Sequence, residues 1–232
     1  MAGRVFSSER FVNGADVGPE GHAHLHTIAN WLQDIAFADG LDAGLGTETA
    51  WIIRRTSLRI TSLPQLGETL TLRTWCGGLA ASVAERRTSI EGDRGAAVDA
   101  EAIWVHIDPV ARRPTRFPPD FLTAYAESAG HRRARTKLRH PPAPPADAER
   151  REWTFARADL DIAGHVNNAV YWRIAEEFLT VADGSVVEAE YRAGVGAGPI
   201  EIAVDPKAGL AWVLAPGGEV AGTLSSDPAS RG

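Results

Sequence analysis

The chain has 232 residues, enough for one large domain or two of about 100 residues each. Its hydrophobic (44%) and charged (23%) fractions are those of an ordinary globular protein, and a net charge of -6 argues against nucleic-acid binding in bulk. A single cysteine, Cys76, excludes an internal disulfide. No apolar run reaches membrane-spanning length and Met1 to Phe6 holds no signal core, so no membrane association and a cytoplasmic location are expected.

Arg4 to Val12 reads as a short strand, followed by the turn signals Asn13-Gly14 and Gly18-Pro19. His22, His24 and His26 alternate, which in a strand would put them on one face suited to a metal. No cysteine or carboxylate pair stands at a supporting spacing, and a helix pattern follows at once. The triplet is therefore read as a surface loop, with no metal and no cofactor expected. Thr27 to Asp39 predicts a helix with Ile28, Trp31, Leu32 and Ile35 buried, Asn30, Gln33 and Asp34 wet, and Gly40 as its stop.

Alternating strands follow over Trp51 to Leu63 and Leu70 to Cys76, with Gly77-Gly78 ending the second. Ser82 to Ile90 and Ala96 to Ile107 predict a hairpin about Gly92-Asp93-Arg94-Gly95. Arg132, Arg133, Arg135, Lys137 and Arg139 form a basic run before Pro141-Pro-Ala-Pro-Pro145. This segment reads as a stiff linker or as a docking surface for an acidic partner. The expected organisation is an N-terminal domain over 1–130, a linker over 131–148 and a C-terminal domain over 149–232. Strand, helix and sheet thus occur twice, although the two halves show no plain sequence repeat.

The densest polar stretch is Asp159-Leu-Asp161-Ile-Ala-Gly164-His165-Val166-Asn167-Asn168-Ala-Val-Tyr171. Val166, Val170, Ile174, Phe178 and Val181 then recur at helical spacing, so the stretch reads as the start of an amphipathic helix. Unpaired amides and the positive dipole end at such a start can hold a developing oxyanion beside a base. Asp and Asn are also ordinary helix caps, and Gly164 suits a plain turn.

Leu160-Asp161-Ile-Ala-Gly-His165-Val-Asn167-Asn168-Ala-Val-Tyr171 resembles the motif of hotdog-fold thioesterases. The helix string Thr27-Ile-Ala-Asn-Trp-Leu-Gln33-Asp-Ile-Ala36 is similar to the first helix of acyl-ACP thioesterases. The Leu63 to Glu68 turn and the Trp104 to Arg113 segment resemble their counterparts there. This resemblance implies an α+β, double-hotdog fold, with two long helices each wrapped by an antiparallel sheet. It also implies hydrolysis of fatty acyl–acyl carrier protein to free fatty acid.

By the same resemblance, Asp161 and His165 are the expected catalytic residues, with Asp161 as base or nucleophile. Gly164, Val166, Asn167, Asn168 and Tyr171 are the expected substrate-binding residues, the Gly164–Val166 amides polarising the carbonyl. Three positions depart from the family pattern. Ala163 replaces an Asn, and Gly194 and Val195 stand where a Glu and a Cys are usual. These departures keep open two alternatives: an Asp-centred acyl-CoA thioesterase and a non-catalytic acyl- or carrier-binding protein. A monomer and a homodimer are both compatible with two fused hotdogs. Cys76 has no histidine beside it, and no Gly-x-Ser-x-Gly elbow or phosphate loop is present, so serine-hydrolase and nucleotide chemistry find no support.

Overall fold

The computed structural model describes residues 3–46 and 50–227. Its strands form a single ten-stranded sheet in which every neighbouring pair is antiparallel. The first five strands are β1 (Val5–Phe11), β2 (Ala50–Ser62), β3 (Thr69–Ala80), β4 (Val83–Gly92) and β5 (Ala97–Ile107). The second five are β6 (Glu149–Phe155), β7 (Val186–Tyr191), β8 (Gly198–Asp205), β9 (Leu210–Leu214) and β10 (Val220–Asp227). Their order across the sheet is β1-β3-β4-β5-β2-β7-β10-β9-β8-β6. Each set follows the same path: its first strand at the outer edge, its second at the centre. The two sets meet where β2 pairs with β7, Arg55 opposite Glu190.

Among the described residues, three α-helices accompany the sheet: α1 (Leu25–Asp42), α2 (Pro119–Ala129) and α3 (Trp172–Phe178). One apolar core joins Ile28, Trp31 and Ile35 of α1, Trp172 and Ile174 of α3, and alternate strand residues such as Leu58, Leu72, Val98 and Val187. A second cluster packs Phe117, Phe121 and Tyr125 against Cys76 and Ala84. Period-2 alternation therefore gives the sheet one face for the helices, as the sequence requires.

Several expectations change. Helix α1 passes through Gly40 and ends at Asp42, and β3 continues past Gly77-Gly78 by means of a bulge between Cys76 and Gly78. The second helix is not long: α3 has seven residues. It is preceded by three-residue turns (Val170 N to Asn167 O, Trp172 N to Ala169 O), so the helical pattern from Val166 begins as tighter turns.

The segment between α2 and β6 contains no helix or strand, but it is tied to the sheet face away from α1 and α3. Arg55 donates to the Lys137 carbonyl, the Arg139 and His140 amides donate to Glu190, and the Trp212 indole donates to the Pro141 carbonyl. The basic run is thus not simply a solvated linker. Arg132 is bound to the carbonyls of Gly77 and Ser128, whereas Arg133, Arg135 and Lys137 keep exposed side chains.

The chain repeats itself most closely in the turns that precede α1 and α3. Before α3, the Asp159 amide donates to the Ala156 carbonyl, Asp161 to His165, Gly164 to Asp161 and Asn167 to Asp159. Before α1, Asp16 donates to Asn13, Gly18 to His22, Gly21 to Gly18 and His24 to Asp16. The Asp159 carboxylate accepts the Ala156 amide as the Asp16 carboxylate accepts that of Asn13. Each turn is closed by a bridge, Leu160 with Val166 and Val17 with Ala23. Gly164 and Gly21 both sit at φ +77°, a left-handed backbone that favours glycine.

Candidate active site

Asp161 lies at the head of the second turn and is exposed. Its Oδ1 accepts the amides of Ala163 (2.8 Å) and His165 (3.2 Å), so the carboxylate braces its own loop while remaining open to solvent. His165 is also exposed, and its ring lies against Gly194. A Cβ at 194 would stand 2.7 Å from His165 Cγ. The position that departs from the family pattern is therefore in contact with the histidine, and the absence of a side chain there gives the imidazole its place.

The three amides assigned to the carbonyl are already bonded within the chain. Gly164 N–H donates to Asp161 O, His165 N–H to Asp161 Oδ1, and Val166 N–H to Val195 O (2.8 Å). Closure of the turn on Asp161 takes up the first two, and the third reaches out of the turn to Val195. The amides expected to polarise the carbonyl therefore all have partners within the chain. The next amide that stands free is that of Asn168: among the described residues none accepts from it.

Asn167 is half-buried. Its Oδ1 accepts from Ala169 N (2.8 Å) and from Gln33 Nε2 of α1 (2.9 Å). Gln33, read as a wet residue, therefore reaches across to the motif. Tyr191 fixes the next residue: its hydroxyl donates to the Asn168 carbonyl (3.1 Å) and accepts from the Trp172 indole (3.0 Å). Burial pushes the Tyr191 hydroxyl well above the usual phenol range, which keeps it a donor. Tyr171 packs edge-on to Tyr191 and beside Phe155.

Beside Asn168 lies a cavity of about 20 Å³. Its first-half walls come from α1 and from β2, β4 and β5, among them Ala29, Gln33, Thr56, Arg86 and Ala102. Its second-half wall is Asn168, Ala169, Trp172 and Tyr191; Tyr171 is not part of it. Arg86 is held by a buried polar network. Asp39, fully buried, accepts from Arg86 Nη1 (2.6 Å), Arg4 Nε (2.7 Å) and the Tyr125 hydroxyl (2.8 Å), which ties α1 to β4 and α2. Sequence reasoning missed Gln33, Tyr191 and this network.

His24 and His26 are not a solvated loop either. Both are half-buried and converge on Glu176 of α3, whose carboxylate also accepts the Leu25 amide (2.7 Å).

An antiparallel sheet packed on a central helix, with a polar turn leading into a second helix, is the architecture of hotdog thioesterases. An acyl-ACP thioesterase from Bacteroides thetaiotaomicron superposes with a TM-score of 0.78 at 16% identity, covering 96% of both chains. The 12:0-ACP thioesterase from Umbellularia californica gives 0.78 at 17% identity, covering 98% of both. At these identities the likeness carries the fold. The sequence patterns of the acyl-ACP thioesterase N-terminal and C-terminal domains match residues 3–125 and 143–203. The chain belongs to the acyl-ACP thioesterase family and is a thioester hydrolase. An uncharacterized protein of Mycobacterium tuberculosis is 23% identical over 182 residues, 77% of this chain and 71% of that one. A chloroplastic acyl-[acyl-carrier-protein] hydrolase from Cuphea viscosissima is 24% identical over 191 residues, 73% of this chain but only 46% of that one.

No helix among the described residues is long and apolar enough to cross a membrane.

Proposed function

We propose that this chain is an acyl-ACP thioesterase built as a double hotdog, 1–130 and 149–232 joined by 131–148, that hydrolyses fatty acyl–acyl carrier protein to free fatty acid. The observation that carries the reading is the cavity. Its walls come from the first half, and the motif residues Asn168 and Ala169 close it from the second. The acyl chain occupies this space and widens it on entry, since about 20 Å³ holds roughly one water. The thioester carbonyl sits at the motif, its oxygen accepting from the free Asn168 amide.

Asp161 then acts as general base. It takes a proton from water as the water oxygen bonds to the carbonyl carbon. Collapse of the tetrahedral adduct breaks the carbon–sulfur bond, and the thiolate leaves and takes up a proton. His165 hydrogen-bonds the water or the substrate, and Asn167, held by Gln33, orients the loop. Gly164 permits the turn, and Val166 anchors it in the core. Tyr171 supports the acyl pocket from behind, through Tyr191. The exposed side chains of Arg133, Arg135 and Lys137 offer an acidic carrier protein complementary charge. Pairing of β2 with β7 joins the two halves within one chain, which favours a monomer.

Gly194 and Ala163 favour a second reading, an Asp-centred enzyme acting on acyl-CoA. Thiol release from matched acyl-ACP and acyl-CoA thioesters decides between them. Faster turnover of acyl-ACP, lost when Arg133, Arg135 and Lys137 are changed to Ala, is the expected result. Equal or faster turnover of acyl-CoA, indifferent to those changes, supports the second reading.

A further inference from the structure

The turn before α1 repeats four backbone bonds and the aspartate cap of the turn before α3, but carries different side chains. Gly18 stands where the other turn has Asp161, so that position supplies no carboxylate of its own, and the space a side chain would take there is bordered by His24 and the Glu20 carboxylate. Trp172 of α3 stands where α1 has Ala29, a small residue of the cavity wall, and its indole fills the core. The contact between each turn and the opposite helix is nevertheless kept. On the catalytic side it is the amide pair Gln33–Asn167. On the other side Glu176 takes the place of Gln33, His24 that of Asn167 and His26 that of Ala169.

These three exchanges converge. His24 Nδ1 lies 3.2 Å from Glu176 Oε1, and His26 Nδ1 lies 3.4 Å from Glu176 Oε2. The ligating atoms of all three residues lie within 4.8 Å of one another, and the rings are 5.0 Å apart and tilted by 30°. The side chains are 36%, 21% and 26% exposed, so an ion can reach them. Two imidazoles and a carboxylate are a donor set for zinc and its neighbours. On a tetrahedral centre with bonds of about 2.0–2.1 Å, adjacent donors stand about 3.3 Å apart. The nitrogen–oxygen separations here match that spacing.

We propose that His24, His26 and Glu176 bind a divalent transition cation of the zinc type, which fastens the start of α1 to α3. The simpler arrangement is a hydrogen-bonded cap, in which both rings donate Nδ1–H to a carboxylate that also accepts Leu25 N–H. The two states exclude one another, because a metal-ligating Nδ1 carries no proton and each ring must shift its hydrogen to Nε2.

The test uses full-length, tag-free protein stripped with chelator and titrated with zinc chloride by calorimetry, with unfolding temperature followed in parallel. The proposal expects one equivalent bound at micromolar Kd or tighter and a rise of several degrees in Tm. Glu176→Gln and His26→Ala should each weaken binding at least tenfold. Absence of one-equivalent binding, or binding indifferent to Glu176→Gln, overturns the proposal and leaves the hydrogen-bonded cap. A parent that binds no zinc overturns the proposal without any variant, and the two variants together separate this site from the other histidine–carboxylate group at His140, Glu188 and Glu190.

Discussion

Two turns with the same backbone bonds precede the two helices, and they differ in nearly every side chain that bears on chemistry. One presents Asp161 and an amide pair beside a cavity; the other presents Gly18 and a His–His–Glu cluster beside a filled core. The turn geometry is thus a property of the fold, set by the paired aspartates Asp16 and Asp159 and by Gly21 and Gly164. Function resides in a few replaceable positions laid on that geometry. The halves differ in the same sense. The first keeps room beside small residues such as Ala29 and Ala102, whereas Trp172 and Tyr171 pack the core of the second.

The contrast is broken most severely at Asp39, which holds Arg86 at the cavity wall. Asp39→Ala leaves Arg86 and Arg4 without their buried partner. It should cost about 3–5 kcal/mol, the usual loss when one member of a buried ion pair is removed. Urea unfolding measures this, and a loss below about 1 kcal/mol would mean that solvent already serves the network. The opposite-helix contacts come next. Gln33→Ala should lower kcat/KM about tenfold by freeing Asn167, equivalent to about 1.4 kcal/mol. In metal-free protein, Glu176→Gln should leave kcat/KM within about twofold, and equal losses from both changes would dissolve the distinction between the two turns.

The smallest effect concerns pH at the seam between the halves. His140 faces Glu188, Glu190, Arg55, Arg139 and Arg192 and lies 2.8 Å from the Thr223 hydroxyl. Burial holds its pKa below the ordinary histidine value, with Glu190 opposing. A folded pKa below the unfolded one means that unfolded chains bind the extra proton first. Stability should therefore fall as pH drops below about 6.5, by at most about 1.4 kcal/mol per unit. His140→Gln should flatten that slope in denaturant midpoints between pH 7 and 5. An unchanged slope would assign the acid response to other groups.

The sheet and α1 were legible because their apolar residues repeat at periods of 2 and 3.6 over long runs. Helix α2 was not, since Phe117-Pro-Pro hides the spacing of Phe121 and Tyr125 that packs it against β3. The motif marked Asp161 and His165 as a place of interest but misplaced the helix start, because three-residue turns carry the same apolar spacing as the first turn of a helix. It did not show which amides have partners within the chain. Which N–H groups remain unpaired depends on Val195, which accepts from Val166 across a gap in sequence that local patterns do not span. Gln33 looked solvent-facing because polarity alone does not reveal a partner 134 positions away.

The central claim is that the Asp161 carboxylate, and not its turn, performs the reaction. Thiol release from acyl-ACP by Asp161→Asn tests this most directly, because an amide oxygen can still accept from Ala163 and His165 and so preserve the loop. The account predicts a fall in kcat of about 10²–10⁴-fold, the range for loss of a general base, with the unfolding temperature unchanged. Turnover within a few-fold of the parent in a folded variant would contradict it and move the chemistry away from Asp161.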